Sequence, residues 1–255
     1  MKRTIFFTAA FLSFLGLMES RAQNMQNNRN MEKLKLTEEW DKTFPKSDKV
    51  DHSKVTFVNR FGITLAADLY VPKIAVADKF PAIAVSGPFG AVKEQSSGLY
   101  AQTLAERGFL TIAFDPSFTG ESSGQPRSVA SPDINTEDFS AAVDYLATRP
   151  DVDAERIGIL GICGWGGFAI NAAANDTRIK ATVASTMYDI SRANANGYFD
   201  AADNADARYR MRRELNAQRT KDYRTGTYPC TTMNPEPAED APQFMKDYYD
   251  YYKTP

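Results

Sequence analysis

Short apolar segments alternate with amphipathic ones through the middle of the chain. Apolar runs without polar alternation are the strand candidates, at residues 81–85, 109–114, 157–163 and 179–185. Such continuous runs are typical of a parallel sheet that helices cover on both faces. Helical periodicity lies between them at residues 99–107 and 136–148. The order of strand, helix, strand and helix predicts an α/β fold with right-handed crossovers.

Two segments that precede these runs have a different pattern. Apolar and polar residues alternate at 54–58 and 65–71, on either side of the turn-forming residues 59–62. Alternation with a period of two is typical of half-buried strands, so the pattern predicts an antiparallel hairpin at an edge of the sheet. The folded core is predicted to span residues 51–190. A polar leader, with one short helix near residues 32–40, is predicted to precede it at residues 23–50.

The composition becomes more polar after residue 190. The pattern of residues 191–255 predicts helices, which we expect to form a lid-like or partial C-terminal region. Arginines recur there, and they either form a solvated helix face or grip an acidic substrate: Arg208, Arg210, Arg212, Arg213 and Arg219. A last helix is predicted at residues 241–252, with Phe244, Tyr248 and Tyr252 on one face. These rings either pack against the domain or stack on a sugar or aryl ligand.

The first 22 residues have the order of a processing signal. Lys2 and Arg3 precede an apolar run at residues 5–18, which is followed by the small residues Ser20 and Ala22. This order predicts a secretory signal peptide at residues 1–22, and therefore an exported protein, periplasmic or secreted. The apolar run is short for a membrane span, although a retained anchor is the alternative. We expect no membrane association after cleavage.

The net charge and the small numbers of histidine and cysteine exclude some classes of function. The chain of 255 residues has 30 basic and 32 acidic side chains, so no basic excess indicates nucleic-acid binding. Its single histidine, His52, rules out a histidine-based metal cluster, and we expect neither a metal nor another cofactor. His52 precedes the predicted parallel strands and is expected at the surface. The sequence leaves open whether Cys163 and Cys230 form a disulfide.

Residues 156–167 are rich in glycine and run from a predicted strand into a helix of small residues. A sharp turn between a strand and a helix needs small residues two positions before and two positions after its tip. Two registers meet this requirement in part. With Trp165 at the tip, Cys163 and Gly167 are the flanking residues; with Cys163 at the tip, they are Gly161 and the bulky Trp165. Sterics favour Trp165 at the tip, a position from which indole is no nucleophile.

The order and motifs of residues 54–190 resemble the dienelactone-hydrolase-related group of the α/β-hydrolase superfamily, with an atypical turn. In that group the tip carries serine or cysteine, so the resemblance makes Cys163 a candidate nucleophile. It makes residues 87–90 the oxyanion loop, with the backbone N–H groups of Phe89 and Gly166 as the two donors. It also implies that Asp115 ends the fourth strand and that Ser122 and Ser123 lie in a structural loop.

The same resemblance exposes departures from the family pattern. Relatives place a carboxylate and then a histidine after their last strands, whereas this chain has no histidine after His52. The final strands of the fold are also not found, so we expect a truncated hydrolase with an exposed sheet edge that allows self-association. The resemblance implies an exported esterase or thioesterase acting on a small ester, lactone or acyl substrate. The alternative is an inactive binding or structural protein with the same fold.

Overall fold

The computed structural model describes residues 32–73, 78–229 and 236–253. The predicted signal peptide and Cys230, with its proposed disulfide, lie outside these ranges. Six strands form one sheet, with bounds Val50–Val58 (β1), Thr64–Pro72 (β2), Phe80–Ser86 (β3), Leu110–Phe114 (β4), Val152–Ile162 (β5) and Ile179–Ser185 (β6). Their order across the sheet is β1-β2-β4-β3-β5-β6. The order of the strands in the sheet therefore differs from their order in the chain, as is typical of α/β folds.

The strand directions confirm the predicted architecture. β1 pairs with β2 and β2 with β4 in antiparallel directions, whereas the pairs β4–β3, β3–β5 and β5–β6 are parallel. The predicted hairpin is the β1–β2 pair, and it occupies one edge of the sheet. Its turn is closed by a hydrogen bond from the Gly62 N–H to the Asn59 carbonyl. The opposite edge is β6.

The described residues form six α-helices: Ser96–Ala105 (α1), Pro132–Ala147 (α2), Gly164–Asn175 (α3), Ile190–Asn196 (α4), Ala205–Thr225 (α5) and Gln243–Lys253 (α6). The first three cover the two faces of the sheet. α2 and α3 pack on one face through Phe139, Trp165 and Phe168. α1 packs on the other face through Ala101 and Ala105. This arrangement of three layers brings the carboxyl ends of β3 and β5 and the start of α3 to one end of the molecule.

One expectation about the flanking segments is wrong, and the packing alternative for the last helix holds only in part. Residues 32–49 contain no helix; they run across the α1 face, where the indole N–H of Trp40 donates to the Phe44 carbonyl. In α6, Phe244 and Tyr248 are 64% and 55% exposed, so only Tyr252 of the predicted packing face is half-buried. α5 has no buried residue, as its interpretation as a solvated helix expects. The division of the chain at residue 190 stays a prediction.

Within the described residues, no helix is both long enough and apolar enough to cross a lipid bilayer.

Candidate active site

A strained turn joins β5 to α3. β5 ends at Ile162, α3 begins at Gly164, and Cys163 between them has φ 58° and ψ −127°. A residue other than glycine adopts this region only when its surroundings hold it there. The Cys163 N–H donates to the Ser185 carbonyl at the end of β6 over 2.9 Å, and the Cys163 carbonyl accepts from the Gly166 N–H over 3.0 Å. The thiol thus stands at the tip of the turn, at the helix N-terminus.

The register with Trp165 at the tip is therefore wrong. Trp165 is the second residue of α3 and is 2% exposed, with its ring 5.2 Å from that of Phe168 and 5.7 Å from that of Phe89. Space for it comes from a different loop. A Cβ on Gly87 would lie 2.8 Å from the Trp165 Cβ and would overlap the Ile162 carbonyl oxygen. The bulk of Trp165 does not prevent a tip at Cys163, because Gly87, outside the turn, leaves room for the indole.

The change of register also changes the oxyanion donors. Gly166 is not available, because its N–H already donates to the Cys163 carbonyl. The residue after the tip is Gly164, and a Cβ placed on it would lie 3.6 Å from the Cβ of Phe89. Phe89 and Gly164 therefore lie side by side next to the thiol. The role of the Phe89 N–H as a donor stays a prediction, and Gly164 replaces Gly166 as its partner.

Apolar and aromatic side chains surround the tip of the turn. A Cβ on Gly164 would lie 3.5 Å from Cδ1 of Ile190 and 3.6 Å from the Tyr188 hydroxyl oxygen. Tyr252 reaches the same place from α6: burial raises the pKa of its phenol, and the neighbouring Cys163 raises it further. Cys163 itself is half-buried and is a free cysteine. The half-buried thiol therefore has a largely apolar surround.

His52 lies elsewhere. It sits on β1, opposite Tyr70 of β2, and three strands separate β1 from β5 in the sheet. At about 4.8 Å per strand, this separates β1 from β5 by about 19 Å. The expectation of a surface histidine is also wrong, because its side chain is only 12% exposed and its Nε2 lies 2.8 Å from Oδ1 of the buried Asp68. The only imidazole of the chain is far from the thiol.

A buried network of charges, missed by the sequence reasoning, lies beneath the loop that carries Phe89. Lys93 in that loop is 1% exposed, and its Nζ lies 2.9 Å from Oδ2 of Asp115 and 2.6 Å from Oε2 of Glu121. Burial alone would lower the pKa of this ammonium group, but Asp115, Glu94 and Glu121 outweigh it and raise the pKa. The only sequence signal was Asp115 at the end of a strand.

Ser122 and Ser123 have structural hydrogen bonds. The Ser122 hydroxyl donates to the Asp115 carbonyl over 2.7 Å and accepts from the Ala66 N–H over 2.9 Å. The Ser123 hydroxyl accepts from the Thr64 N–H over 2.9 Å. Both residues join their loop to β2, as the structural interpretation of that loop expected. In the described ranges, no group of three or more His, Cys, Asp or Glu side chains is arranged to hold a metal ion.

This chain is similar in sequence and in fold to a bacterial protein of known structure. The chain is 58% identical over 249 residues to the uncharacterized protein PA2218 of Pseudomonas aeruginosa. The match covers 96% of this chain and 67% of that protein. The crystal structure of PA2218 matches with a TM-score of 0.82 at 61% identity, over 88% of this chain and 69% of that one.

More distant matches concern enzymes. Thiohydrolase aneE of Aspergillus aculeatus is 34% identical over 129 residues, 51% of this chain and 39% of that protein. The crystal structure of the α/β hydrolase GrgF from a Penicillium species matches with a TM-score of 0.63 at 23% identity, over 80% of this chain and 68% of that one, which supports the fold. The model of the X-Pro dipeptidyl-peptidase (S15) family matches residues 62–249. The chain therefore belongs to the S15 family, within the α/β-hydrolase superfamily.

Proposed function

We propose that this protein is an exported, thiol-dependent hydrolase of small esters, lactones or thioesters, with Cys163 as its nucleophile. One observation carries the proposal: Cys163 is held at φ 58° at the tip of the turn between β5 and α3. Backbone strain of this kind persists where the surroundings impose it, and it concentrates at functional sites. The strand-to-helix turn also exposes the tip residue at the end of the sheet where such hydrolases act.

The electrostatics of the turn suit acyl transfer. The thiol stands at the N-terminus of α3, where the unpaired N–H groups and the helix dipole favour negative charge. The N–H groups of Gly164 and Phe89 lie on neighbouring backbone segments next to the thiol, as the closeness of their Cβ positions indicates. Two such donors stabilise the oxyanion that forms when a carbonyl is attacked, and removal of one costs about 10²–10³ in rate.

The surroundings of the thiol favour an apolar acyl group. Phe89, Tyr188, Ile190 and Tyr252 approach the turn and provide aromatic and aliphatic surface. A small ester or thioester fits such a lining better than a charged substrate. The relative aneE is named as a thiohydrolase, which supports a thioester or ester as substrate. The predicted signal peptide at residues 1–22 supports export.

The reaction has two steps. The Cys163 sulfur attacks the carbonyl carbon, the bond to the leaving oxygen or sulfur breaks, and a thioester on Cys163 forms while the thiol proton goes to solvent. Water then adds to this thioester, which releases the carboxylic acid and restores the thiol. The second step needs a base, and the only histidine of this chain lies on β1, with three strands between it and β5. We therefore expect the chain to acylate readily and to deacylate slowly.

This expectation is tested with p-nitrophenyl acetate. The chain should release p-nitrophenolate in a burst of about one equivalent, followed by a slow steady state. Cys163→Ala should abolish the burst, and mass spectrometry should find the acetyl group on Cys163 in the unaltered chain. Cys230→Ser is the matched control, since it removes the other cysteine of the chain and should keep the burst.

The second candidate is a binding or structural protein that keeps the hydrolase fold. The distance between His52 and the turn is the observation that favours it. It predicts that p-nitrophenyl acetate acetylates Cys163 no faster than it acetylates N-acetylcysteine at the same pH. A burst that survives Cys163→Ala would contradict the proposed nucleophile, and a burst rate equal to that of the free thiol would favour this second candidate.

A further inference from the structure

The loop between β3 and α1, residues 87–95, is fastened at both of its ends. At its start, Gly87 packs so closely on the turn that an added Cβ would overlap the Ile162 carbonyl oxygen. At its end, Lys93 is bound to Asp115, the residue that follows β4. Phe89, the proposed oxyanion donor, lies between these two attachments. The position of its N–H therefore depends on both.

The attachment at Asp115 is a buried hub. One carboxylate accepts from the Lys93 backbone N–H over 2.8 Å, from the Lys93 Nζ over 2.9 Å and from the Glu121 backbone N–H over 2.9 Å. Asp115 is fully buried, and a Cβ on Gly120 would collide with its carboxylate, so no larger residue fits there. A single side chain thus joins the backbone of the oxyanion loop to the loop that follows β4.

Charge accounts for the strength of this attachment. A buried carboxylate with several N–H donors and an ammonium partner keeps a defined geometry, because any movement would leave a charge unpaired in a medium of low dielectric constant. Removal of one partner of such a pair is costly, whereas removal of both charges together is tolerated far better. Lys93 also lies 2.5 Å from Glu94 and 2.6 Å from Glu121, so replacing Lys93 together with Asp115, which removes one charge of each sign, is expected to cost less than replacing either alone.

We propose that Lys93 and Asp115 are positioning residues, which hold the Phe89 N–H in place for the oxyanion formed at Cys163. The inference rests on the proposed function. Neither residue contacts the thiol or takes part in proton transfer. Their hydrogen bonds join the oxyanion loop to the loop after β4, so they should influence reactions that form an oxyanion and leave other reactions of the same thiol unchanged.

The test compares two reactions of Cys163. Acetylation by p-nitrophenyl acetate passes through an oxyanion, whereas alkylation by iodoacetamide is a displacement at carbon that forms none. In the double variant Lys93→Met with Asp115→Asn, which keeps the charge balance, we expect acetylation to slow about 100-fold, as when one oxyanion donor is lost. Alkylation should change less than about threefold. The single variant Lys93→Met gives the same comparison if it folds.

A matched control comes from a second buried carboxylate near the end of β4. Asp138 accepts hydrogen bonds from Asn59, Asn135 and Ser117 and has no bond to the oxyanion loop. Asp138→Asn should leave the ratio of acetylation to alkylation unchanged, even if it lowers the melting temperature. In the double variant of Lys93 and Asp115, an unchanged ratio of acetylation to alkylation would overturn the inference, whether both reactions slow equally or neither slows.

Hydrogen exchange separates this inference from the proposed function. The backbone amides of residues 89–93 should exchange at least about tenfold faster in the double variant than in the unaltered chain, with no such change in Asp138→Asn. If unaltered Cys163 is acetylated no faster than N-acetylcysteine, the proposed function fails. The exchange rates alone then test whether Lys93 and Asp115 hold the loop in place. Unchanged exchange in the loop would then overturn the positioning role.

Discussion

Glu94 and Glu121 belong to the same charge network, yet the fold shifts their pKa values in opposite directions. Burial would raise the pKa of Glu121, but hydrogen bonds from Lys93, Lys54 and the Thr37 backbone outweigh it and lower the pKa to about 2. Burial and the neighbouring Asp115 raise the pKa of Glu94, despite its contact with Lys93. One ionised glutamate therefore stabilises the fold and the other weakens it.

This difference predicts opposite effects of two similar substitutions. Glu121→Gln should lower the free energy of unfolding at pH 7 by about 1 kcal/mol, a value reduced by solvent screening at this partly exposed group. Because its folded pKa lies below the unfolded value of about 4.5, the contribution is complete above that pH and is lost as the pH falls through about 2. Urea unfolding of both proteins at pH 7 and pH 3 should show the difference shrinking at the lower pH.

Glu94→Gln is the matched comparison. Its raised folded pKa means that ionised Glu94 costs stability at neutral pH, a cost that disappears as the pH falls through the folded value. Glu94→Gln should therefore leave the free energy of unfolding unchanged or raise it at pH 7. A loss at pH 7 equal to that of Glu121→Gln would contradict the assignment of opposite signs.

At the scale of single residues, the sequence identified the correct turn and placed the wrong residue at its tip. The resemblance makes Cys163 a candidate because related hydrolases carry serine or cysteine at the tip, and sterics favour Trp165 at the tip because its indole would crowd a turn with Cys163 there. The residue that makes room for the indole is Gly87, which is 78 positions earlier in the chain. A contact between loops so far apart has no local pattern. The Lys93–Asp115 pair escaped prediction for the same reason.

At the scale of elements, Gly87 links the oxyanion loop to the turn that carries Cys163. Its φ of +97° is unfavourable for any residue with a Cβ, and that atom would also overlap the Ile162 carbonyl oxygen. The loop and the turn thus contact each other backbone to backbone. A displacement of one by a few tenths of an ångström must be followed by the other.

Gly87→Ala should therefore cost more than backbone strain alone. We expect it to lower the free energy of unfolding by about 2–4 kcal/mol and to slow acetylation of Cys163. Gly62→Ala is the control, because Gly62 also has a positive φ, +78°, and its Cβ would meet nothing within 4 Å. Thermal and urea unfolding should give a loss of about 1 kcal/mol for the control. Equal losses in the two variants would show that the close contact at Gly87 has no energetic weight.

Periodicity predicted the elements of the core well and their ends less well. Unbroken apolar runs predicted all four parallel strands, and β3, β4 and β5 have the burial that such runs imply, whereas β6, at the edge of the sheet, has no buried residue. The pattern predicts a helix from residue 136, but α2 begins at Pro132 with Ser131 as its N-cap, and Asn135, directly before the predicted start, donates to Asp138 inside the fold. Polar residues that serve buried networks look like caps in a sequence. Phe244 and Tyr248 of α6 have the spacing of a packing face in the sequence, yet both side chains are exposed.

At the scale of the whole molecule, the two edges of the sheet differ in their protection. The segment before β1 packs against the hairpin, where the ammonium group of Lys42 contacts Asp68 of β2. The β6 edge has apolar residues open to solvent, with Val183 53% exposed. Among the described residues, β6 pairs with β5 alone. Its other side presents backbone N–H and carbonyl groups to any strand that approaches.

An open edge with apolar side chains promotes association between strands, so we expect this protein to aggregate through β6 as its concentration rises. Val183→Lys should slow the rise in light scattering at a fixed temperature, because a lysine at the edge opposes the approach of a second strand by charge and by hydration. Ile170→Lys is the control: Ile170 is 47% exposed, but it lies on α3, where no backbone group is free to pair. If exposure of apolar surface alone drives association, the two substitutions slow it equally. If the strand edge drives it, Val183→Lys has the larger effect, and equal slowing would exclude β6 as the site of association.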